Sequence, residues 1–227
     1  MSTHFYYPLG SGSKWENNEL RYSLRSLEKF IGDTDVTIAG SAPEWLNISK
    51  VQYIPMPEPP KNRLFRVGTK LVAALPYLPD NFIYMNDDYI IMKPIEYFEP
   101  IYCNTVRHRI SQEMNASHIS VHIRGAQNTL EALSDFTDEP LDYDSHSPFP
   151  MMRDLVFNMA AVFPFWNDMQ LKCIYGNFFK VGGIPGPNHK GAYQDHWRYW
   201  SLEDYPTADE QRQLRELLPE PSRYERV

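Results

Sequence analysis

Two adjacent carboxylates, Asp87 and Asp88, stand where an apolar, aromatic run of strand type stops. Phe82, Ile83, Tyr84 and Met85 precede them, entered from Pro79, Asp80 and Asn81; Tyr89, Ile90, Ile91 and Met92 then resume the apolar run. Short apolar runs bounded by turn residues predict buried strands. The pair is therefore expected at a strand's carboxyl end, the edge at which open α/β sheets bind ligands. Neighbouring carboxylates repel unless a proton, a basic side chain or a cation offsets them. A divalent cation, Mn or Mg, held by Asp87 and Asp88 and carrying substrate phosphates, meets that need with oxygen ligands. The plain alternative is a hairpin turn, because Asn86, Asp87 and Asp88 are all of favoured turn types.

Basic and imidazole side chains elsewhere could complete such a site. Over 62–75 the spacing predicts a helix with Leu64, Val67, Leu71 and Leu75 inward, and with Arg63, Arg66 and Lys70 on a basic face. That face either holds a diphosphate near the metal or is solvated. Residues 8–13, with Gly10, Ser11, Gly12 and Ser13, form a loop whose backbone amides can approach phosphate. Its spacing matches neither the dinucleotide fingerprint nor the P-loop, so a plain connector explains it as well. His146 lies in a Pro-rich, non-regular segment just before a helix expected over 151–161. A neutral imidazole there can take a proton from an acceptor hydroxyl; the alternative is a loop-capping His. Residues 182–191 read as a flexible loop bearing His189 and Lys190, followed by Asp195 and His196. They could complete a metal shell, meet donor phosphates or form a lid, or be an ordinary surface loop. Tyr193, Trp197, Tyr199 and Trp200 offer surfaces for a base or sugar, or core packing. His118, His122 and Arg124 lie near Arg107, His108 and Arg109, in a stretch where 101–110 reads as extended; single histidines in such a stretch are more often surface or satisfied core than ligands.

The elements that must position these residues alternate. Strands are expected over 5–7, 35–39, 51–54 and 82–85. A first helix, capped by Asn17 or Asn18 and striped by Leu20, Leu24, Leu27 and Ile31, precedes the second strand. Its Arg21 and Arg25 read as a solvated face. Pro55, Pro57, Pro59 and Pro60 preclude regular structure after the third strand. The order strand, helix, strand, strand, helix, strand predicts a mainly parallel, Rossmann-like sheet flanked by helices. A helix is expected over 125–133, and an amphipathic one over 208–218, structural or oligomeric in role, with a solvated Arg/Glu face.

Composition narrows the classes. With 227 residues, 42% hydrophobic and 14% aromatic, the chain can bury a large core and is not disordered. It reads as a single domain over 1–227, with 1–100 as the nucleotide-binding half and 101–227 as the acceptor half plus a C-terminal helix. A net charge of −7 disfavours general nucleic-acid binding. Two cysteines, Cys103 and Cys173, imply no disulfide framework and suit a reducing compartment. No membrane span and no signal pattern is evident, so a cytoplasmic location is expected, the host's cytoplasm for a virus-encoded chain.

A family resemblance rests on particular stretches. Residues 18–27, then Ala42, Pro43, Glu44, Trp45 and Leu46, then Phe82 to Asp88, resemble the second conserved region of the Stealth proteins. Residues 144–152, with Asp144, Ser145, His146 and Pro148, are similar to the third; 5–13 loosely echo the first and 173–177 the fourth. Those proteins are hexose-1-phosphate transferases of microbial capsule synthesis, related to the lysosomal-enzyme N-acetylglucosamine phosphotransferase. The resemblance implies an A-type glycosyltransferase-like fold, Asp87 and Asp88 on metal and donor diphosphate, and His146 as the active-site histidine.

Together these readings point to a metal-dependent nucleotide-sugar transferase. Asp87 and Asp88 place the metal, Asp88 and His146 act at the reacting centre, and Arg63, Arg66, Lys70, Asn86, His189 and Lys190 bind substrate. Glycosyl transfer to an acceptor hydroxyl comes first, hexose-1-phosphate transfer from the same donor second, and a non-catalytic carbohydrate-binding or assembly protein third. The acceptor is a glycan or other hydroxyl compound, a hydroxylated DNA base among them for a virus-encoded chain. The oligomeric state stays open.

Overall fold

The computed structural model describes residues 2–113 and 120–226, so His118 lies outside the described residues. Its elements run β1 (His4–Leu9), α1 (Asn18–Phe30), β2 (Asp35–Gly40), β3 (Gln52–Pro55), α2 (Arg63–Ala74), β4 (Asn81–Tyr84), β5 (Tyr89–Ile91) and β6 (Ile101–Tyr102). There follow α3 (Val106–Glu113), α4 (Val121–Ala132), β7 (Phe149–Met152), α5 (Arg153–Val162), α6 (Leu171–Phe178), β8 (Ile184–Pro185), β9 (Tyr199–Ser201) and α7 (Ala208–Leu217). The central sheet has the order β3-β2-β1-β4-β7. Its first three pairings are parallel and β7 joins β4 antiparallel. The fold is α/β, with a mainly parallel sheet flanked by helices.

Alternation along β1 divides the core. Tyr6 packs on one face with Leu71, Leu75, Phe82 and Tyr84, while Phe5, Tyr7 and Leu9 pack on the other with Leu20, Leu24 and Leu27 of α1. Both faces are buried, which is why β1 reads as an unbroken apolar run. Pro8 belongs to β1 rather than to the following loop, pairing with Ala39. It shares the parity of Tyr6, whose carbonyl accepts from Met85 N at the last bond toward β4. The missing N–H therefore faces the side where the partner chain has already turned away.

The run after the acidic pair leaves the central sheet. β5 pairs antiparallel with β9, Tyr89 opposite Ser201. Two buried serines of α1 hold it: Ser23 Oγ donates to the Tyr89 carbonyl at 2.6 Å, and Ser26 Oγ accepts from Ile91 N at 3.0 Å. The turn carrying Asp87 and Asp88 is thus pinned at both ends, by the central sheet and by α1.

Several local expectations are corrected. Neither asparagine caps α1 through its side chain; Ser13 Oγ instead accepts from Asn17 N at 2.8 Å and Trp15 N at 3.1 Å. Arg21 and Arg25 are not a solvated face, because both pair with Glu225, at 3.3 and 2.7 Å. Within 101–110 only Ile101–Tyr102 is strand, and Val106 begins α3. The segment after His146 is the edge strand β7, with the helix starting only at Arg153. The loop over 182–191 contains β8, paired with β6. Trp197, Tyr199 and Trp200 are buried core and offer no free surface. Among the described residues no helix is long and apolar enough to cross a membrane.

Candidate functional site

A cavity of about 650 Å³ opens where the chain leaves the carboxyl ends of β1, β3 and β4. Gly10, Ser11 and Ser13 line it after β1, Glu58 after β3, and Asn86, Asp87 and Asp88 after β4. The opposite wall comes from the second part of the chain, with Arg109, Asp144, His146 and Lys172.

The two carboxylates of the pair are held differently. Asp88 Oδ2 accepts from Ser201 Oγ at 2.6 Å and from Lys190 Nζ at 3.1 Å. Against the upward push of burial, Lys190, Ser201, His146 and Arg63 keep Asp88 below the usual carboxylate range. Its Oδ1 is buried and has no hydrogen-bond partner among the described residues. Asp87 has no such compensation, and burial followed by the Asp88 charge raises it to about 7. Arg63, on the first turn of α2, opposes that rise. Asn86 Nδ2 donates to Tyr89 Oη at 3.1 Å and its Oδ1 accepts from Tyr84 Oη at 3.0 Å, which fixes the turn.

An orphaned buried oxygen beside a carboxyl that resists ionisation is a local deficit of positive charge. These residues fit a hard cation, two carboxylates from the protein leaving the other positions to ligand phosphates and water. A fuller protein shell does not form: among the described residues no group of three or more His, Cys, Asp or Glu side chains could hold a metal. Asp195 and His196 are exposed and lie outside the cavity lining. His189 also lies outside it; buried, with Nδ1 3.1 Å from the Ser145 carbonyl, it supports the loop behind the cavity instead of facing a substrate.

His146 stands opposite the pair. It adopts the left-handed φ of +52°, and its ring meets Tyr89 edge-on at 6.5 Å. Nδ1 lies 2.8 Å from Asn188 Oδ1, an acceptor already bonded by Lys190 N at 3.0 Å. Nδ1 therefore carries the proton in this contact, and Nε2 of the neutral ring keeps a free lone pair.

The basic face of α2 divides. Arg63 belongs with the acidic pair, whereas Lys70 Nζ donates to the Leu9 carbonyl at 2.7 Å and to Glu58. Arg66 lies 3.6 Å from Glu58. Glu58 also accepts from Ser11 N at 3.2 Å, so it ties the glycine/serine loop to α2. Nothing in the Pro-rich sequence around Glu58 marks it as the anchor of that loop. Nor does the sequence bring Arg109, Asp144 and Lys172 together. Arg109 Nη1 donates to Asp144 Oδ2 at 2.7 Å, and Lys172 Nζ lies 3.9 Å from Oδ1. Against burial, Arg109, His146 and Lys172 hold Asp144 far below the carboxylate range. The signal available was three charged residues amid apolar or motif-like sequence, but their sequence separation hid the cluster.

Fold and cavity together define an α/β protein with a cavity at the carboxyl edge of its sheet, lined by an acidic pair. No protein-family model matches the chain. It is 26% identical over 164 residues to the capsular polysaccharide phosphotransferase SacB of Neisseria meningitidis serogroup A, a match covering 65% of this chain and 30% of that protein. The chain thus resembles the Stealth-type transferases while spanning about a third of the length of the relative it matches. Among solved structures it is similar to the galactosyltransferase LgtC in complex with donor and acceptor sugar analogues. That likeness has 11% identity and a TM-score of 0.44 over 82% of this chain and 72% of the other.

Proposed function

We propose that the chain is a nucleotide-sugar transferase that moves a sugar-1-phosphate to an acceptor hydroxyl. One observation carries the reading: the half-buried Asp87 and the buried Asp88, with Asp88 Oδ1 unpartnered, line a cavity able to hold a nucleotide sugar, in a stretch that resembles the second conserved region of the Stealth proteins. The similarity to a phosphotransferase favours sugar-phosphate over sugar transfer. The glycine/serine loop held by Glu58 lines one end of the cavity, where it would meet the donor phosphates. Arg63 and Lys190 offset charge on the departing nucleotide. His146 takes the acceptor's proton on Nε2. A divalent cation, Mn or Mg, held by Asp87 and Asp88, would supply further charge neutralisation of the diphosphate. In this reading 1–100 is chiefly the donor half and 101–227 chiefly the acceptor half. Acidic side chains outnumber basic ones along the lining, which favours a glycan hydroxyl over a DNA base as acceptor.

Incubation with a panel of nucleotide sugars, manganese and oligosaccharide acceptors tests this by product. Release of a nucleoside monophosphate with a phosphodiester-linked product is the expected result. A nucleoside diphosphate would mean glycosyl transfer instead. A donor-induced thermal shift should depend on manganese and vanish in Asp87→Ala. Stabilisation by free glycans alone, with no turnover, would point to a binding protein.

A further inference from the structure

Lys172 has no part in the reaction as outlined, yet it is placed where few lysines are. It stands near the start of α6, is 5% exposed, and lines the inner wall of the cavity. Its ammonium donates to Tyr89 Oη at 3.2 Å and to the Ser147 carbonyl at 3.3 Å. The same nitrogen lies 5.2 Å from the centre of the Tyr89 ring and 3.9 Å from Asp144 Oδ1. These partners belong to opposite walls. Tyr89 Oη also accepts from Asn86, so one contact reaches the turn that bears Asp87 and Asp88. Ser147 follows His146, whose left-handed backbone is a conformation that a non-glycine residue keeps only where its surroundings impose it. The other contact grips that loop.

Burial works against the charge of Lys172 and Asp144 supports it. An apolar side chain would fill the same volume without the desolvation cost. We propose that Lys172 is a positioning residue: by holding Tyr89 and Ser147 at once, it sets the carboxylate pair against the His146 imidazole and acts on transfer rather than on donor capture. The inference rests on the nucleotide-sugar reading of the cavity.

Lys172→Met keeps an unbranched apolar stem, one atom shorter, and removes the charge; Tyr89→Phe removes only the hydroxyl. In each, donor affinity read from manganese-dependent thermal shifts should stay within about 2-fold, and turnover at saturating donor should fall about 30- to 100-fold. The double variant should be faster than the product of the two single losses, because both lose the Lys172–Tyr89 bond, while Tyr89→Phe alone also frees Asn86 Nδ2 and Lys172→Met alone also frees the Ser147 carbonyl. Losses that multiply in the double variant, or donor affinity falling in step with turnover, would overturn the proposal. If the wild-type protein turns over no nucleotide sugar, the reaction is refuted but the linkage is still tested. The His146 ring-proton resonances, assigned with His146→Gln, must shift in Lys172→Met, and unchanged resonances sink it.

Discussion

Asp87 and Asp88 are neighbours in sequence and differ in electrostatic environment. Asp88 is bonded by Ser201 and Lys190, whereas Asp87 is left to burial and to the charge beside it. A carboxyl raised to about 7 favours folding most below its unfolded value, and that contribution disappears as pH rises through the folded one. In chelator-treated protein, Asp87→Asn should therefore stabilise the fold by about 1–2 kcal/mol at pH 8 and by almost nothing at pH 4. Urea melts of the two proteins across that range measure the difference directly; a difference independent of pH would contradict the assigned environment. Asp144 has the opposite sign, since Arg109 and Lys172 hold it ionised. Its contribution is present above the ordinary carboxylate range and is lost as pH falls below it. At pH 7, Asp144→Asn should cost about 2–4 kcal/mol by leaving the buried Lys172 and the half-buried Arg109 short of a partner, and the deficit should shrink toward pH 2 in the same melts.

At the scale of elements, α2 connects the ends of the site. Arg63 at its first turn serves the acidic pair, and Lys70 two turns on serves Glu58 and the loop after β1. Its middle passes close to the segment before α6. A Cβ on Gly68 would lie 2.8 Å from Asn167 Cβ and 3.1 Å from the Trp166 ring. Gly68→Ala gains about 1 kcal/mol in helix propensity, but the overlap with a packed ring costs about 1–3 kcal/mol. The variant should melt below wild type and bind donor more weakly, because Arg63 moves with the helix. A higher melting temperature would show that the neighbouring segment yields. Helices α1, α2, α4, α5 and α7 and the central strands were legible because their periodicities are local, whereas α6, eight residues long, was not. α3 and β7 were not, because α3 is short and weakly patterned and β7 is an edge strand containing Pro150, whose pairing with Ile83 only the sheet supplies.

At the scale of the molecule, the chain closes on itself. Glu225 accepts from Arg25 Nε at 2.7 Å and Nη2 at 2.8 Å, with Arg21 at 3.3 Å, while Arg223 bonds the Thr34 carbonyl. The final described segment therefore ties down α1, the helix whose serines hold β5 and so the acidic turn. Glu225→Ala should cost about 2–4 kcal/mol by leaving Arg21 and Arg25 facing each other. Arg25 holds the Glu225 carboxyl below its usual range against burial, so the cost should fade below about pH 4. Thermal melts at pH 7 and pH 3 distinguish this from a pH-independent loss of packing.

The sequence by itself determined the alternation of strands and helices, the strand-end placement of Asp87 and Asp88, and the loop setting of His146. Each follows from patterns a few residues long, and local backbone preference and side-chain period decide such patterns before any tertiary contact forms. Only the tertiary structure decided which charges meet. Lys190 reaches Asp88 across 102 positions, Arg109 reaches Asp144 across 35, and Lys70 turns to Glu58 and away from the pair. It also sent His189 and the Trp197 and Trp200 rings into the interior. Electrostatic partnership depends on separation in space and on burial, and a linear sequence carries neither until the sheet brings its carboxyl ends together.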